Sequence, residues 1–363
     1  MRSNTCSHVL VRWDGQKLGT DESSALPGLA LTGLVRSVRT PEFAGVTFHE
    51  VTCKSALNKV PEASRMPFRW TVNPTRGCLH ACVYCFARPT HEYLELNAGR
   101  DFETQIVVKT NVVDVLRAEL ARPGWKREHV ALGTNTDPYQ RVEGRYRFMP
   151  GIIEALAASG TPLSILTKGT LLRRDLPLLA EVSGTVPVGI GVSLAIRDEA
   201  LQEAVEPGTP TPRARLDLIR AIREAGLPCG VMVAPVLPWL TDDRRGLDSL
   251  LRDLADAGAT GVTVLPLHLR GPVKPLFFAW LAEHAPALLP RYQELYGKGA
   301  YAPREYTAWL DERVRPLLVR HGFAGRRGGH RMPGEGSYPT GSIAVESLPV
   351  HEPTVVAAQP VLF

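Results

Sequence analysis

From residue 69 to about residue 290 the chain alternates short apolar runs with helical patterns, and no other feature limits its fold as much. The runs lie at 69–74 (RWTVNP), 129–134 (HVALGT), 163–168 (LSILTK), 186–195 (VPVGIGVSLA), 229–237 (CGVMVAPVL) and 261–267 (GVTVLPL). Helical patterns occupy the intervals near 111–121, 150–159, 173–182, 212–225 and 242–257, and a sixth follows at 274–285. In the one at 212–225, Leu216, Leu218, Ile219 and Ile222 recur at close to the 3.6-residue period. A strand that returns beside its predecessor after a helical crossover pairs with it in parallel. Several runs are apolar almost throughout, as strands buried on both faces are. Six β/α units are fewer than the eight of a closed barrel. The expected fold is therefore α/β, a partial (β/α)6 TIM-like barrel whose mouth, at the C-terminal ends of the strands, has room for a large ligand.

Around this core the chain divides into an N-terminal extension (1–66), the partial barrel (67–290), a helical and aromatic cover (291–324) and a Gly/Pro-rich tail (325–363). The tail is too poor in apolar residues to bury a core and reads as flexible. Hydrophobic residues make up 44% and charged residues 22%, which excludes wholesale disorder and leaves material for one sizeable core. The balance of 42 basic against 37 acidic residues is too even to argue for a polyanionic partner by itself. No apolar run approaches the ~20 residues of a membrane-spanning helix. No signal-like segment opens the chain, so a soluble, cytoplasmic protein is expected.

Six cysteines stand at 6, 53, 78, 82, 85 and 229. Three fall in one stretch, Cys78-Leu79-His80-Ala81-Cys82-Val83-Tyr84-Cys85, in a loop after the first strand. Thiolates at this C-x3-C-x2-C spacing reach three corners of a [4Fe–4S] cubane, where full protein ligation takes four, and leave one iron open to another ligand. A structural zinc site is the alternative. It needs four ligands; His80 or His91 offers a fourth, but no second C-x2-C pair exists in the chain.

The cysteine motif, with an aromatic before its last cysteine and a strand before the loop, resembles the radical S-adenosylmethionine (radical SAM) superfamily. The likeness runs from about Cys53 to Leu289 and is greatest to the branch related to spore photoproduct lyase. It is carried by CKSALNKV (53–60), NPTRGCLHACVYCFARPTHEYL (73–94), LGTNTDPYQ (132–140), ILTKGTLLRRDL (165–176) and APVLPWLTD (234–242). The resemblance implies a [4Fe–4S] cluster held by Cys78, Cys82 and Cys85, with S-adenosyl-L-methionine on the open iron. One electron from the cluster then cleaves the cofactor to a 5′-deoxyadenosyl radical, which abstracts hydrogen from a substrate.

Within that resemblance, Tyr84 is expected beside the adenine. Thr134, Asn135 and Asp137, with Thr136 among them, follow the second strand where the superfamily binds the methionine amino group. Lys168 ends the third strand as a cation for the carboxylate, and Ser193 takes the ribose-contacting position. Each has a plainer reading: loop packing for Tyr84, an ordinary turn before Pro138, a solvent-seeking strand end, a small hydroxyl in a barrel interior. The chain departs from spore photoproduct lyase in one respect. That enzyme draws on a cysteine hydrogen donor shortly after its second strand, and no cysteine lies between residues 129 and 147 here. Cys53 and Cys229 are the remaining candidates, with Cys229 better read as a small buried hydrophobe.

The last residues, Gln359-Pro360-Val361-Leu362-Phe363, resemble the short Q-x-x-L-F peptide that docks bacterial DNA polymerases and repair proteins on the sliding clamp. Arg326, Arg327 and Arg331 of the same tail read as phosphate contacts or as a solvated linker. The sequence thus leads to a radical SAM iron–sulfur enzyme acting on a macromolecule, damaged or modified DNA first, with a flavodoxin- or ferredoxin-like electron donor. Action on RNA or protein, and a non-catalytic Fe–S or zinc scaffold, are the alternatives.

Overall fold

The structure, a computed structural model, describes residues 33–64 and 66–323. The candidate clamp-docking peptide Gln359–Phe363 and the three tail arginines lie outside that range. All six expected core strands form: β1 (Trp70–Val72), β2 (Val130–Leu132), β3 (Leu163–Thr167), β4 (Val188–Ser193), β5 (Gly230–Val236) and β6 (Gly261–Pro266). They lie in sequence order in one sheet, all parallel, so each crossover returns the chain one place along. The sheet is a partial barrel in that its two outermost strands do not pair.

The structure adds a seventh strand. Leu57–Lys59 runs antiparallel to β1 and closes the early edge of the sheet. Residues 34–38, 47–51, 105–109 and 75–76 build a separate four-stranded sheet, in which Thr47–Val51 pairs in parallel with Gln105–Lys109. The sequence pattern did not single out that last run: QIVVK is short and has no alternation.

Burial also differs from expectation in the middle strands. β2 is buried throughout, but β3 and β4 alternate between buried and half-buried positions. Leu163, Ile165, Val188, Ile190 and Val192 pack into the main core. The opposite face carries Leu166 beside Ser164, Gly189 and Gly191, whose small size leaves the interior of an unclosed sheet partly open. An added Cβ on Gly191 would meet Leu166 Cδ1 at 3.1 Å, so this face is tight where it is covered.

The covering helices are α1 (Val112–Leu120), α2 (Phe148–Ala158), α3 (Leu176–Ser183), α4 (Pro212–Glu224), α5 (Arg244–Asp256) and α6 (Val273–His284). Their starts are written locally. Thr211 accepts from Ala214 N ahead of Pro212, and Asp243 accepts from Gly246 N, satisfying amides that the first turn leaves free. The helical cover consists of α7 (Leu289–Tyr296) and α8 (Arg304–Arg320). Three phenols bolt it to the loops after β5 and β6. Tyr292 donates to Pro238 O, Tyr296 to Leu267 O and Tyr306 to the Asp242 carboxylate.

Candidate active site

Parallel register decides what meets at the mouth. Val72 pairs with Leu132, Leu132 with Ile165, Thr167 with Val192 and Ser193 with Met232. The loops after β1 to β4 therefore leave the sheet side by side. The first of them carries the cysteines. Gly77 turns it with φ +82°, and a Cβ there would meet Phe102 O and Ile106 at 2.8 Å, so only glycine fits. Cys78 N donates to Phe102 O at 2.9 Å, and Cys85 N to Cys82 O at 3.2 Å. The loop then folds around Arg88. Its guanidinium, nearly buried, donates to the carbonyls of Ala81, Cys82, Ala98 and Gly99 and to Glu103.

Cys78 and Cys82 are buried and Cys85 partly so. Burial pushes all three thiols up, Cys78 to about 12, with the carboxylates of Asp137 and Glu206 adding to Cys78 and Cys82 respectively. Ionising them here needs a positive counter-charge, which iron supplies on ligation. Among the described residues, no three His, Cys, Asp or Glu side chains gather as ligands of a single ion. Three thiolates that each hold a different corner of a cubane do not need to meet at one point. The two candidate fourth ligands for zinc are engaged elsewhere: His80 Nδ1 lies 3.4 Å from Asp137, and His91 Nε2 meets Gln105 O.

The loop after β2 is tied to the cysteine loop. Gln140 accepts from Leu79 N at 2.8 Å and donates to Gly77 O and Thr75 Oγ1 at 3.1 Å. Thr136 Oγ1 reaches Thr75. Asp137 turns toward β3, accepting from Thr167 Oγ1, Lys168 N and Tyr139 N. Its oxygens are occupied by the protein. Thr134 Oγ1 and Asn135 Oδ1 are different: both are buried without a hydrogen-bond partner. An unsatisfied buried oxygen is costly, and such atoms mark a place where a donor belongs.

Beyond them lies a cluster around Glu206. This carboxylate, fully buried, stands 2.8 Å from Arg215 Nη2 and 3.6 Å from Lys168 Nζ, and it accepts from the Tyr84 hydroxyl. Lys168 also donates to Ser193 Oγ at 2.8 Å, and its ammonium sits 5.8 Å from the centre of the Tyr84 ring. Burial alone would raise the Glu206 carboxyl, but Lys168 and Arg215 outweigh it and hold the group down to about 2. Burial works against the charge on Lys168 as well, yet Glu206 leads the groups that keep it charged. Lys168 and Ser193 thus bring a fixed ammonium and a hydroxyl to this cluster, while the partnerless oxygens of Thr134 and Asn135 lie on the loop after β2, where Asn135 lines a small cavity with Asn58, Asn73, Arg76 and Lys109.

Residues 72–263 match the family model of the radical SAM superfamily. The chain belongs to that superfamily. It is a radical SAM enzyme, and its cofactors are those of the family, a [4Fe–4S] cluster and S-adenosylmethionine. It is 64% identical over 319 residues to an uncharacterised protein of Mycobacterium tuberculosis, covering 87% of this chain and 94% of that one. An uncharacterised protein of Acidianus two-tailed virus is 30% identical over 209 residues, 56% of this chain and 68% of that one. Among solved structures, spore photoproduct lyase complexed with dinucleoside spore photoproduct has a TM-score of 0.57 at 17% identity, covering 77% of this chain and 80% of that one. A variant of that lyase with bound AdoMet and the dinucleoside has a TM-score of 0.54 at 15% identity.

For this radical SAM fold, the structure brings Tyr84, Lys168 and Ser193 into one hydrogen-bonded group and sets Asp137 behind Lys168. Sequence reasoning missed Glu206, Arg215, Gln140 and Arg88. Glu206 sits just after a short helix (Glu199–Val205) with no motif around it, and Arg215 is one of many arginines on an amphipathic helix. Gln140 ends the stretch LGTNTDPYQ, where nothing in the sequence marks it as a tie to the cysteine loop. Cys229 is fully buried in the core, as expected, and Cys53 is buried with its backbone paired to Asn111.

Proposed function

We propose that this radical SAM enzyme modifies or repairs nucleic acid, with damaged or modified DNA as the first candidate substrate. In this reading Cys78, Cys82 and Cys85 hold the cluster. Thr134 and Asn135 accept from the methionine ammonium, Lys168 pairs with the carboxylate, Ser193 meets the ribose and Tyr84 lies against the adenine. Asp137 is a positioning residue, fixing the backbone of Lys168. The observation that carries the reading is the pair of partnerless oxygens on Thr134 and Asn135, on a loop that Gln140 joins to the cysteine loop. Once bound, the cluster supplies one electron for cleaving S-adenosylmethionine, and the family's hydrogen abstraction follows from that. The protein's part is to hold the zwitterion, keep Lys168 charged through Glu206 and exclude water.

The reductant in this reading is a one-electron donor of the flavodoxin or ferredoxin type. The DNA reading is supported by the fold shared with a lyase complexed with dinucleoside spore photoproduct. The tail peptide Gln359–Phe363 is proposed as a sliding-clamp ligand; capture by the clamp, lost on removal of Leu362 and Phe363, is its test.

The reading is tested by anaerobic reconstitution with iron and sulfide, then dithionite and S-adenosylmethionine, followed by assay of 5′-deoxyadenosine. Wild type is expected to form product, faster with lesion-bearing DNA than with intact DNA, and Cys78→Ala to form none. A full cluster without product under any substrate would return the scaffold alternative.

A further inference from the structure

The residue after the last motif cysteine, Phe86, is a large apolar side chain left 38% exposed at the mouth. Its ring centre lies 6.2 Å from that of His268, with planes inclined by 37°. His268 continues to Tyr301 at 5.8 Å and 30°, and the Arg270 guanidinium lies 5.0 Å over the Tyr301 ring. The row starts beside Cys85 and ends on the cover, where Tyr301 is 56% exposed. Rings that served only to fill a core would be buried at both ends. The far end is held in place: His268 pairs with Tyr301 across an isolated antiparallel bridge, and Leu269 N donates to Ala300 O at 2.7 Å. Lys274 Nζ donates to Gly297 O and Gly299 O, which pins the loop that presents Tyr301.

Cations outnumber carboxylates along the segments that carry His268 and Tyr301: 267–274 (LHLRGPVK) and 297–305 (GKGAYAPRE) hold Arg270, Lys274, Lys298 and Arg304 against Glu305. Burial, with Arg270 adding to it, holds His268 down to about 4, so at neutral pH the middle ring is an uncharged stacking surface. Exposed aromatic rings interleaved with cations are the combination that binds single-stranded nucleic acid. Every base has a face to stack, and the phosphates meet the cations.

We infer that Phe86, His268, Tyr301 and Arg270 form a stacking platform that receives an unpaired or extruded nucleotide base at the rim of the active site. The inference rests on the nucleic-acid reading above and gives that substrate its handhold. A base stacked on the Phe86 end lies next to the cysteine loop, and its backbone runs toward Lys298 and Arg304.

The test is fluorescence anisotropy of the reconstituted enzyme with S-adenosylmethionine and a fluorescein-labelled single-stranded DNA, repeated with RNA and with duplex DNA, iron being measured on every protein. Wild type is expected to bind the single strand more tightly than the duplex. Phe86→Ala and Tyr301→Ala should each weaken binding by about 5- to 100-fold, the worth of one stacked base, while Tyr301→Phe keeps it. Wild-type binding that neither alanine variant weakens overturns the platform and leaves the nucleic-acid reading standing. A wild type that forms 5′-deoxyadenosine yet binds no DNA or RNA overturns both.

Discussion

Lys168 Nζ stands 3.6 Å from Glu206 Oε1, and the two residues come from different connections, the end of β3 and the loop beyond the short helix after β4. The same carboxylate takes the Tyr84 hydroxyl and Arg215, so a single fully buried anion orders a cation, an aromatic ring and the floor of the cysteine loop. A buried charge of this kind is sustained only by its partners, and the cost of breaking the group exceeds what each pair contributes by itself.

Glu206→Gln is therefore expected to strand Lys168 and Arg215 opposite a neutral amide and to destabilise the fold by about 3–5 kcal/mol. Combining it with Arg215→Met, which removes one of the orphaned charges, should recover part of that loss. Thermal melts of the two proteins check the order. A double variant less stable than the single one would contradict it.

Asn135→Ala and Thr134→Val remove oxygens that have no partner in the free protein. Their loss should leave thermal stability unchanged or slightly raised, because no hydrogen bond is broken. Affinity for S-adenosylmethionine should fall about tenfold or more for each, the worth of a hydrogen bond to an ammonium. Equilibrium dialysis beside a melting curve measures both, and lower stability with unchanged affinity would assign these residues to the turn alone.

Gly208 approaches the cysteine loop so closely that an added Cβ would lie 1.8 Å from Leu79 O. Gly208 N also donates to His80 O at 3.1 Å. Gly208→Ala should push the loop away from its seat, with a cost of at least about 1–3 kcal/mol and reduced iron uptake. Iron and sulfide analysis after reconstitution reads the effect; a normal cluster content would show that the loop adapts.

His129 is held down to about 4 by burial, with Nε2 against Ser164 Oγ at 2.9 Å. In the unfolded chain the ring titrates near ~6.5. Below that pH the unfolded state takes up a proton that the folded state refuses, so stability is lost as pH falls from about 6.5 toward 4 and is constant above that window. The histidine contributes on the order of 1–3 kcal/mol to the loss, and His91 and His268, each also held near about 4, act in the same direction. His129→Gln should flatten the fall of Tm between those pH values; an unchanged slope would place the acid sensitivity elsewhere.

The order and direction of the six core strands, their helices and the three-cysteine loop are readable along the chain. These are local facts: apolar period, caps at Thr211 and Asp243, and the spacing of thiols along a few residues. The extra edge strand Leu57–Lys59 and the strand Gln105–Lys109 of the small sheet were not legible, because short strands without alternation are stabilised by partners far along the chain. The same distinction runs through the site. In the proposed site, Cys78, Cys82 and Cys85 stand out by their spacing, and Lys168 and Ser193, at strand ends, stand out through the resemblance to the superfamily. Glu206, Arg215 and Arg88 do not, since nothing near them in sequence distinguishes a buried ionic anchor from a solvated charge. Folding makes that distinction, by removing water from around them and leaving each charge dependent on its partners.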